Sequence, residues 1–378
     1  MKREESTGSF GTEVYKKIFR PVLFRFPPEM VHGLVLEGLN VSSAVGLGGL
    51  FRKYLSVRDE ALQVSLATDS GRLDFPNPVG LAAGFDKDAS AAGALEGLGF
   101  GFLEVGTLTP RPQKGNPRPR LRRFPADSAL WNRMGFNNIG AERVASRFPR
   151  RRRLGIPVGF NIGKAKNTPL EAAAGDYLKS VELLFPWADF FVLNVSSPNT
   201  AGLRELQAAA VLERLLKAVR RRMEELALKS NRAGRPALFV KVSPDESSPD
   251  TLAETVLRGG AAGIVATNTT VRRDGLSGPV PPDGGVSGRP LRERSTDMLR
   301  RLYRASRGRL FLIGVGGVFT AEDAYEKVLA GASLVEVYTG LVYEGPALAR
   351  DINRGLLTLL KRDGFSSVRE AVGKGVKI

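Results

Sequence analysis

FFVLNVSSPNT, residues 190–200, is an apolar strand that stops in a run of small polar side chains around one proline. Phe190 to Leu193 read as a strand buried on both faces. Asn194 to Thr200 then place amides and hydroxyls where packing alone would favour hydrocarbon. Such groups are costly to bury unless a neighbour or a ligand satisfies them. The same pattern recurs on both sides of this stretch. PVGLAAGF (78–85), FLEVGTL (102–108), PVGFNIG (157–163), ALFVKVS (237–243), GIVATNT (263–269) and RLFLIGVGG (309–317) end in polar or glycine-rich residues, and LVEVYTG (334–340) ends in Tyr-Thr-Gly. Segments long enough for a crossover helix separate them, for example ELQAAAVLERLLKAVRRRMEELAL and AEDAYEKVLAGA. Eight such units predict an α/β fold, a closed (β/α)8 TIM barrel rather than an open doubly wound sheet. Two longer insertions, residues 109–135 and 270–291, follow the second and sixth runs and are expected to overhang the barrel mouth.

Ahead of the barrel the pattern changes. Residues 1–12 are expected to be disordered and residues 13–56 to form a small helical extension, with the barrel occupying 57–378. Pro27 and Pro28 mark a helix start, and Val31, Leu34, Val35 and Gly38 follow a period near 3.6. Leu23, Phe24, Phe26 and Met30 add apolar surface that a solvated extension does not need.

The bulk numbers narrow the chemistry. With 378 residues, 42% of them hydrophobic, the chain can bury a large core. No uninterrupted apolar run reaches the roughly 18 residues of a spanning helix, and the first ten residues lack the apolar stretch of a secretory signal. The absence of cysteine excludes disulfides, thiolate metal sites and a cysteine base, and His32 as sole histidine leaves no histidine metal site or triad; no metal is expected. The net charge is +17, and residues 111–153 hold thirteen Lys or Arg against Asp127 and Glu142. Such a face can attract nucleic acid, anionic lipid or an anionic substrate, although a solvated surface accounts for most of these residues. Arg150 to Arg153 are placed after a helix, away from the mouth, where anionic lipid is their one expected contact.

The strand ends bring together Ala83 to Lys87, Thr107, Asn161, Asn194 to Thr200, Lys241, Thr267 to Thr269, Gly314 to Gly317, and Tyr338 to Gly340. Glycines after the last two strands let backbone N–H groups approach a phosphate. The amides and hydroxyls suit a flat heterocycle, and Lys241 can place positive charge beside an isoalloxazine ring. Flavin mononucleotide (FMN) fits both ends; a nicotinamide dinucleotide fits less well, since no strand–GxGxxG–helix unit occurs. Lys87, NRMGF (132–136), Asn199, Asn268 and Thr269 then suit a small cyclic amide bearing a carboxylate.

Taken together, GLAAGFDKDA, GNPRPR…NRMGFNN, NVSSPNTAGLR, NTT, GGVSGRPL and GVGGV resemble the dihydroorotate dehydrogenase family, specifically its class 2, quinone-reducing, membrane-associated branch. The resemblance runs from about Tyr15 to about Leu360. It implies oxidation of (S)-dihydroorotate to orotate in pyrimidine (UMP) biosynthesis, with one FMN per chain accepting the hydride and a membrane quinone as final acceptor. Ser197 would be the base; class 1 relatives carry cysteine at that place. Lys87, Asn132, Arg133, Met134, Gly135, Phe136, Asn194, Asn199, Asn268 and Thr269 would contact the substrate. Ala83, Gly84, Phe85, Asp86, Lys87, Thr107, Asn161, Asn194, Lys241, Thr267, Gly288, Gly317, Tyr338 and Thr339 would contact FMN. The N-terminal extension matches a quinone tunnel, with His32, Arg123 and Tyr338 at its inner end. A peripheral protein on the cytoplasmic side of a bacterial cell membrane is expected, meeting an anionic lipid surface, binding no nucleic acid and acting as a monomer. Two rivals stay open on the sequence: a flavin barrel with a soluble partner, against which the extension argues, and a non-catalytic basic protein binding lipid or RNA, which leaves the polar strand ends unexplained.

Overall fold

The computed structural model describes residues 9–68, 71–148, 154–200, 202–230 and 234–377. Arg150 to Arg153 and the first eight residues of the expected irregular N-terminus lie outside them.

Thirteen strands follow one another among the described residues: β1 (Val64–Thr68), β2 (Gly71–Phe75), β3 (Val79–Leu81), β4 (Phe102–Leu108), β5 (Leu121–Phe124), β6 (Ala129–Asn132), β7 (Val158–Ile162), β8 (Phe190–Asn194), β9 (Ala237–Val242), β10 (Gly263–Ala266), β11 (Gly285–Gly288), β12 (Phe311–Val315) and β13 (Ala332–Val337). Eight of them, β3, β4, β7, β8, β9, β10, β12 and β13, pair in parallel in chain order, and β13 closes back onto β3. These are the eight runs whose polar ends predict the barrel. Every residue of β4, β7, β8 and β9 is buried, as expected of strands lined by helices on one side and barrel core on the other.

The floor of the barrel is aromatic. Phe75, Phe102, Phe190, Phe239 and Phe311 pack edge to face or stacked, with centroids 5.4 to 6.3 Å apart. Two glycines make room for the rings: a Cβ on Gly80 would lie 2.3 Å from Phe102, and one on Gly159 only 1.9 Å from Phe190. The antiparallel hairpin β1–β2 delivers Phe75 to this layer and so plugs the end opposite the mouth. At about 2–3 kcal/mol per buried phenylalanine, this plug is a large stabilising block.

At the mouth the two insertions do more than overhang. β5 and β6, from the first, form an antiparallel hairpin, and β11, from the second, pairs with β6 through Trp131↔Val286 and Leu130↔Ser287. The result is a three-stranded canopy over the polar strand ends.

Within residues 1–12, expected to be irregular, the described part holds a helix. A helix, Phe10–Val14, begins directly after Ser9, because the hydroxyls of Ser9 and Thr12 donate to Asp351 at 2.7 and 2.6 Å. Two longer helices follow. Pro28–Ala44 starts at its proline, where a missing N–H costs nothing; Leu47–Leu55 follows a left-handed Gly46. The first is pinned to the canopy by Glu29, whose carboxylate accepts from Arg120 at 2.6 Å and Arg118 at 3.1 Å. Arginines of the basic segment 111–148 therefore hold elements together as well as carrying charge.

Candidate active site

A slot lies between the C-terminal strand ends and the canopy. Its volume is about 150 Å3. Ala83, Gly84, Lys87, Thr107, Asn132, Met134, Gly135, Phe136, Asn194, Ser197, Asn199, Lys241, Thr267, Asn268, Thr269, Gly288, Gly317, Tyr338 and Thr339 all line it.

One hydrogen-bonded network across five strands holds the polar ends. Thr107 donates to Asn161 Oδ1 at 2.5 Å and accepts from Asn194 Nδ2 at 3.1 Å. Asn268 Nδ2 donates to Asn194 Oδ1 at 3.2 Å and to Ser196 Oγ at 3.0 Å, and Ser196 donates in turn to the Lys241 carbonyl at 2.6 Å. Asn161 Nδ2 donates to Glu104 Oε1 at 2.5 Å. A buried network of this kind fixes rotamers, so the groups left facing the slot are pre-aimed.

Ser197, only 5% exposed, sits one residue beyond this network. Its Oγ accepts from the Asn199 N–H at 3.3 Å. Asn199 reaches across to the canopy, donating to Asn132 Oδ1 at 3.2 Å. Among the described residues, Asn199 Oδ1 and Thr200 Oγ1 are buried without a partner. Asn199 lines the slot, and an orphaned polar atom at such a wall is what a polar ligand resolves.

Charge in the site is confined to a few groups. Lys241 Nζ lies 2.7 Å from Glu104 and 3.5 Å from Glu336. Burial opposes its charge, but the two carboxyls outweigh burial and raise its pKa. Lys87 donates to the Gly84 carbonyl at 2.6 Å; burial lowers its pKa to about 8.

Four assigned residues do not face the slot. Arg133 turns outward, donating to the Pro119 carbonyl and pairing with Asp283 at 3.1 Å, since alternation past β6 points it away. The Asp86 carboxylate accepts from the Ser90 and Ala91 N–H groups and so braces the turn after β3. Asn161 lies one layer below, supporting Thr107 and Asn194. Phe85 lines a second cavity instead.

That second cavity, about 500 Å3 and almost wholly apolar, lies between the N-terminal helices and the barrel. His32, Arg123 and Tyr338 all line it. The His32 ring stands edge-on to Phe85 at 4.9 Å, and burial, with Lys87 nearby, drives its pKa to about 4, leaving it neutral. Arg123 donates to the Leu23 carbonyl at 3.2 Å and to the Phe26 carbonyl, with its guanidinium 4.5 Å from the Phe24 ring centroid. Leu121, Leu130 and Tyr338 line both cavities, so shared side chains form the wall between the slot and the apolar cavity. Sequence reasoning missed Leu121, Leu130, Ser287 and Glu336 on these walls; Ser287 alone had a local signal, sitting inside GGVSGRPL.

A (β/α)8 barrel with its polar side chains gathered under a canopy at the C-terminal mouth defines a barrel enzyme. Comparison with known proteins makes the assignment specific. Residues 65–360 match the family model described as dihydroorotate dehydrogenase, and the chain belongs to that family. It is 46% identical to a protein of Nostoc punctiforme, over 97% of this chain and 99% of that one, and 49% identical to one of Deinococcus radiodurans, over 94% and 99%. Both are named dihydroorotate dehydrogenase (quinone). The dihydroorotate dehydrogenase of Eimeria tenella, solved in complex with ferulenol, superposes with a TM-score of 0.81 at 38% identity, covering 92% of this chain and 95% of that one.

Proposed function

We propose that the protein oxidises (S)-dihydroorotate to orotate for pyrimidine synthesis, with one FMN per chain as first acceptor and a membrane quinone as the last. The observation that carries this reading is the shared wall: a polar slot and an apolar tunnel meet at Leu121, Leu130 and Tyr338.

The slot fits FMN by its donor set. Thr107, Asn194, Lys241 and Thr267 offer donors and acceptors to a flat ring. Gly288, Gly317 and Thr339 present backbone to a phosphate, with Gly317 at φ +71°, a conformation that glycine adopts without strain. Bound there, FMN supplies a hydride acceptor and a carrier of electrons to quinone.

Asn132, Asn199, Asn268 and Thr269 hold the substrate ring, and Lys87 faces its carboxylate. The Asn199 side chain ties the canopy to the strand ends, which orients the substrate and keeps bulk water out. Ser197 takes the proton from C5 as hydride leaves C6. A serine hydroxyl is a weak base unaided, so its own proton must move on in the same step. Thr200, whose buried hydroxyl oxygen has no partner among the described residues, is our candidate for that path.

No single helix among the described residues is long and apolar enough to cross a membrane. Pro28–Ala44 and Leu47–Leu55 instead meet at 105° and expose Met30, Leu34, Val41 and Leu50. That face suits shallow insertion into one leaflet, beside the tunnel. We place the protein peripherally on the cytoplasmic side of a bacterial membrane, acting as a monomer because slot and tunnel are both built within one chain. The test is cofactor identity and coupling: the purified protein should release FMN at one per chain and convert dihydroorotate to orotate only when a quinone is supplied. A colourless preparation, or turnover with a soluble acceptor alone, would refute the reading.

A further inference from the structure

Lys241 needs one counter-ion and has two carboxyls. Glu104 accepts from its Nζ at 2.7 Å and is wholly inaccessible. Glu336, equally inaccessible, lies at 3.5 Å through Oε2, while its Oε1 is buried with no hydrogen-bond partner among the described residues. Of the two acids, only Glu336 lines the slot. Two carboxylates against one ammonium would leave an uncompensated charge in a dry interior, which is strongly disfavoured.

We propose that Glu336 is a proton-bearing residue on the wall of the cofactor slot, and that its protonation state sets how readily the bound flavin accepts hydride. This rests on the assignment of FMN to the slot. Burial and the neighbouring Glu104 both hold the Glu336 carboxyl well above the usual range. Burial also works against Glu104, but Lys241 outweighs it and keeps Glu104 ionised. The trio is therefore neutral as a whole. Hydride transfer breaks the substrate C6–H bond, forms an N–H bond on the ring and adds one negative charge there, while the C5 proton leaves through Ser197. A trio that has lost the Glu336 proton opposes that added charge; a neutral trio does not.

Among the described residues, no other ionisable group faces Glu336 from inside the barrel. The flanking β12 and β3 carry none. On the helix Ala321–Leu329 outside β13, Asp323 and Glu326 pair with Arg292, and Lys327 donates to Ser295 and Thr296. Around the slot, the remaining ionisable groups are Lys87, on the Gly84 carbonyl, and Tyr338, whose phenol burial pushes up to about 12.

The experiment is a pH series of flavin midpoint potentials on the holoprotein, comparing wild type with Glu336→Gln and Glu104→Gln. Glutamine at 336 is permanently neutral. Glutamine at 104 makes Glu336 the sole counter-ion of Lys241, so it stays ionised in a neutral pair. Wild type and Glu336→Gln should agree at the acid end of the series, below the Glu336 titration. Above the Glu336 titration, wild type should fall below both variants by at least about tenfold in the reduction equilibrium, or ~30 mV for a two-electron couple. Titration of Lys87 is common to all three proteins and cancels in the difference. Parallel lines across the range, or a wild-type–Glu336→Gln gap that persists to the acid end of the series, would overturn the proposal. If Glu336→Gln does not fold, the wild-type–Glu104→Gln comparison carries the same reading. A preparation without flavin would refute the functional assignment itself, whereas a yellow protein with parallel lines refutes this inference alone.

Discussion

Replacing Lys241 with methionine keeps most of the side chain's length and removes its charge. In the wild type Lys241 holds Glu104 ionised in a site that water does not reach. Without it, Glu104 must either remain as an unpaired buried anion or take up a proton. Removing one partner of a buried pair costs about 3–5 kcal/mol. The protonation route gives a similar figure. In the unfolded chain a glutamate titrates near about 4.3, so keeping Glu104 protonated at pH 7 costs about 1.4 kcal/mol per pH unit, or ~3.7 kcal/mol. The sign follows from the folded-state shift. A carboxyl whose folded pKa is raised binds more protons folded than unfolded, so its stability is complete below about pH 4.3 and is lost as pH rises. Glu336 does this in both proteins and cancels. The variant should therefore be less stable than wild type by about 1 kcal/mol at pH 5 and about 4 kcal/mol at pH 7. Urea unfolding of the two holoproteins at pH 5, 6 and 7 measures this. A deficit below 1 kcal/mol at pH 7, or one that does not grow with pH, would refute the assignment of Glu104 as a buried anion paired by Lys241.

Three further outcomes are expected. Gly38 lines the tunnel, and a Cβ there meets nothing within 4 Å, so Gly38→Trp should fill the tunnel without disturbing the barrel; quinone-dependent reoxidation should fall at least tenfold while anaerobic reduction by dihydroorotate keeps its rate. Because Lys87 titrates near 8 and must be charged to meet a carboxylate, kcat/KM for dihydroorotate should fall about tenfold per pH unit above pH 8, and Lys87→Arg should flatten that limb in a pH–rate profile. Met30→Glu with Leu34→Glu removes two exposed apolar side chains, 45% and 60% exposed, from the helix Pro28–Ala44; each is worth about 1.5–3 kcal/mol when buried, so sedimentation with lipid vesicles should weaken by more than tenfold.

The barrel was legible because each of its strands couples an apolar run to a polar or glycine end, a pattern contained within eight or nine residues. The same locality put Ser197, Asn199 and Asn268 at strand ends, and all three line the slot. What escaped depends on partners distant in sequence. Glu104 and Glu336 look like ordinary interruptions in FLEVGTL and LVEVYTG; their meaning comes from Lys241, 137 and 95 residues away. The canopy was expected as overhanging loops, yet β5, β6 and β11 are four-residue strands, and the β6–β11 pairing joins residues as far apart as Ala129 and Gly288. Hairpin β1–β2 went unread because its role, carrying Phe75 into the floor, appears only when Phe102 and Phe311 are in place. Arg133 was carried into the site with its motif neighbours, and only the pleat of β6 shows that it faces out.

Anaerobic single-turnover absorbance of the purified protein mixed with dihydroorotate, for wild type and Ser197→Ala side by side, tests the central claim most directly. Wild type should lose its flavin bands on mixing and regain them when a quinone is added. Ser197→Ala should still bind dihydroorotate but bleach about 10² to 10⁴-fold more slowly, as loss of a general base predicts. A variant that bleaches at the wild-type rate, or a wild type that dihydroorotate leaves yellow, would contradict the account.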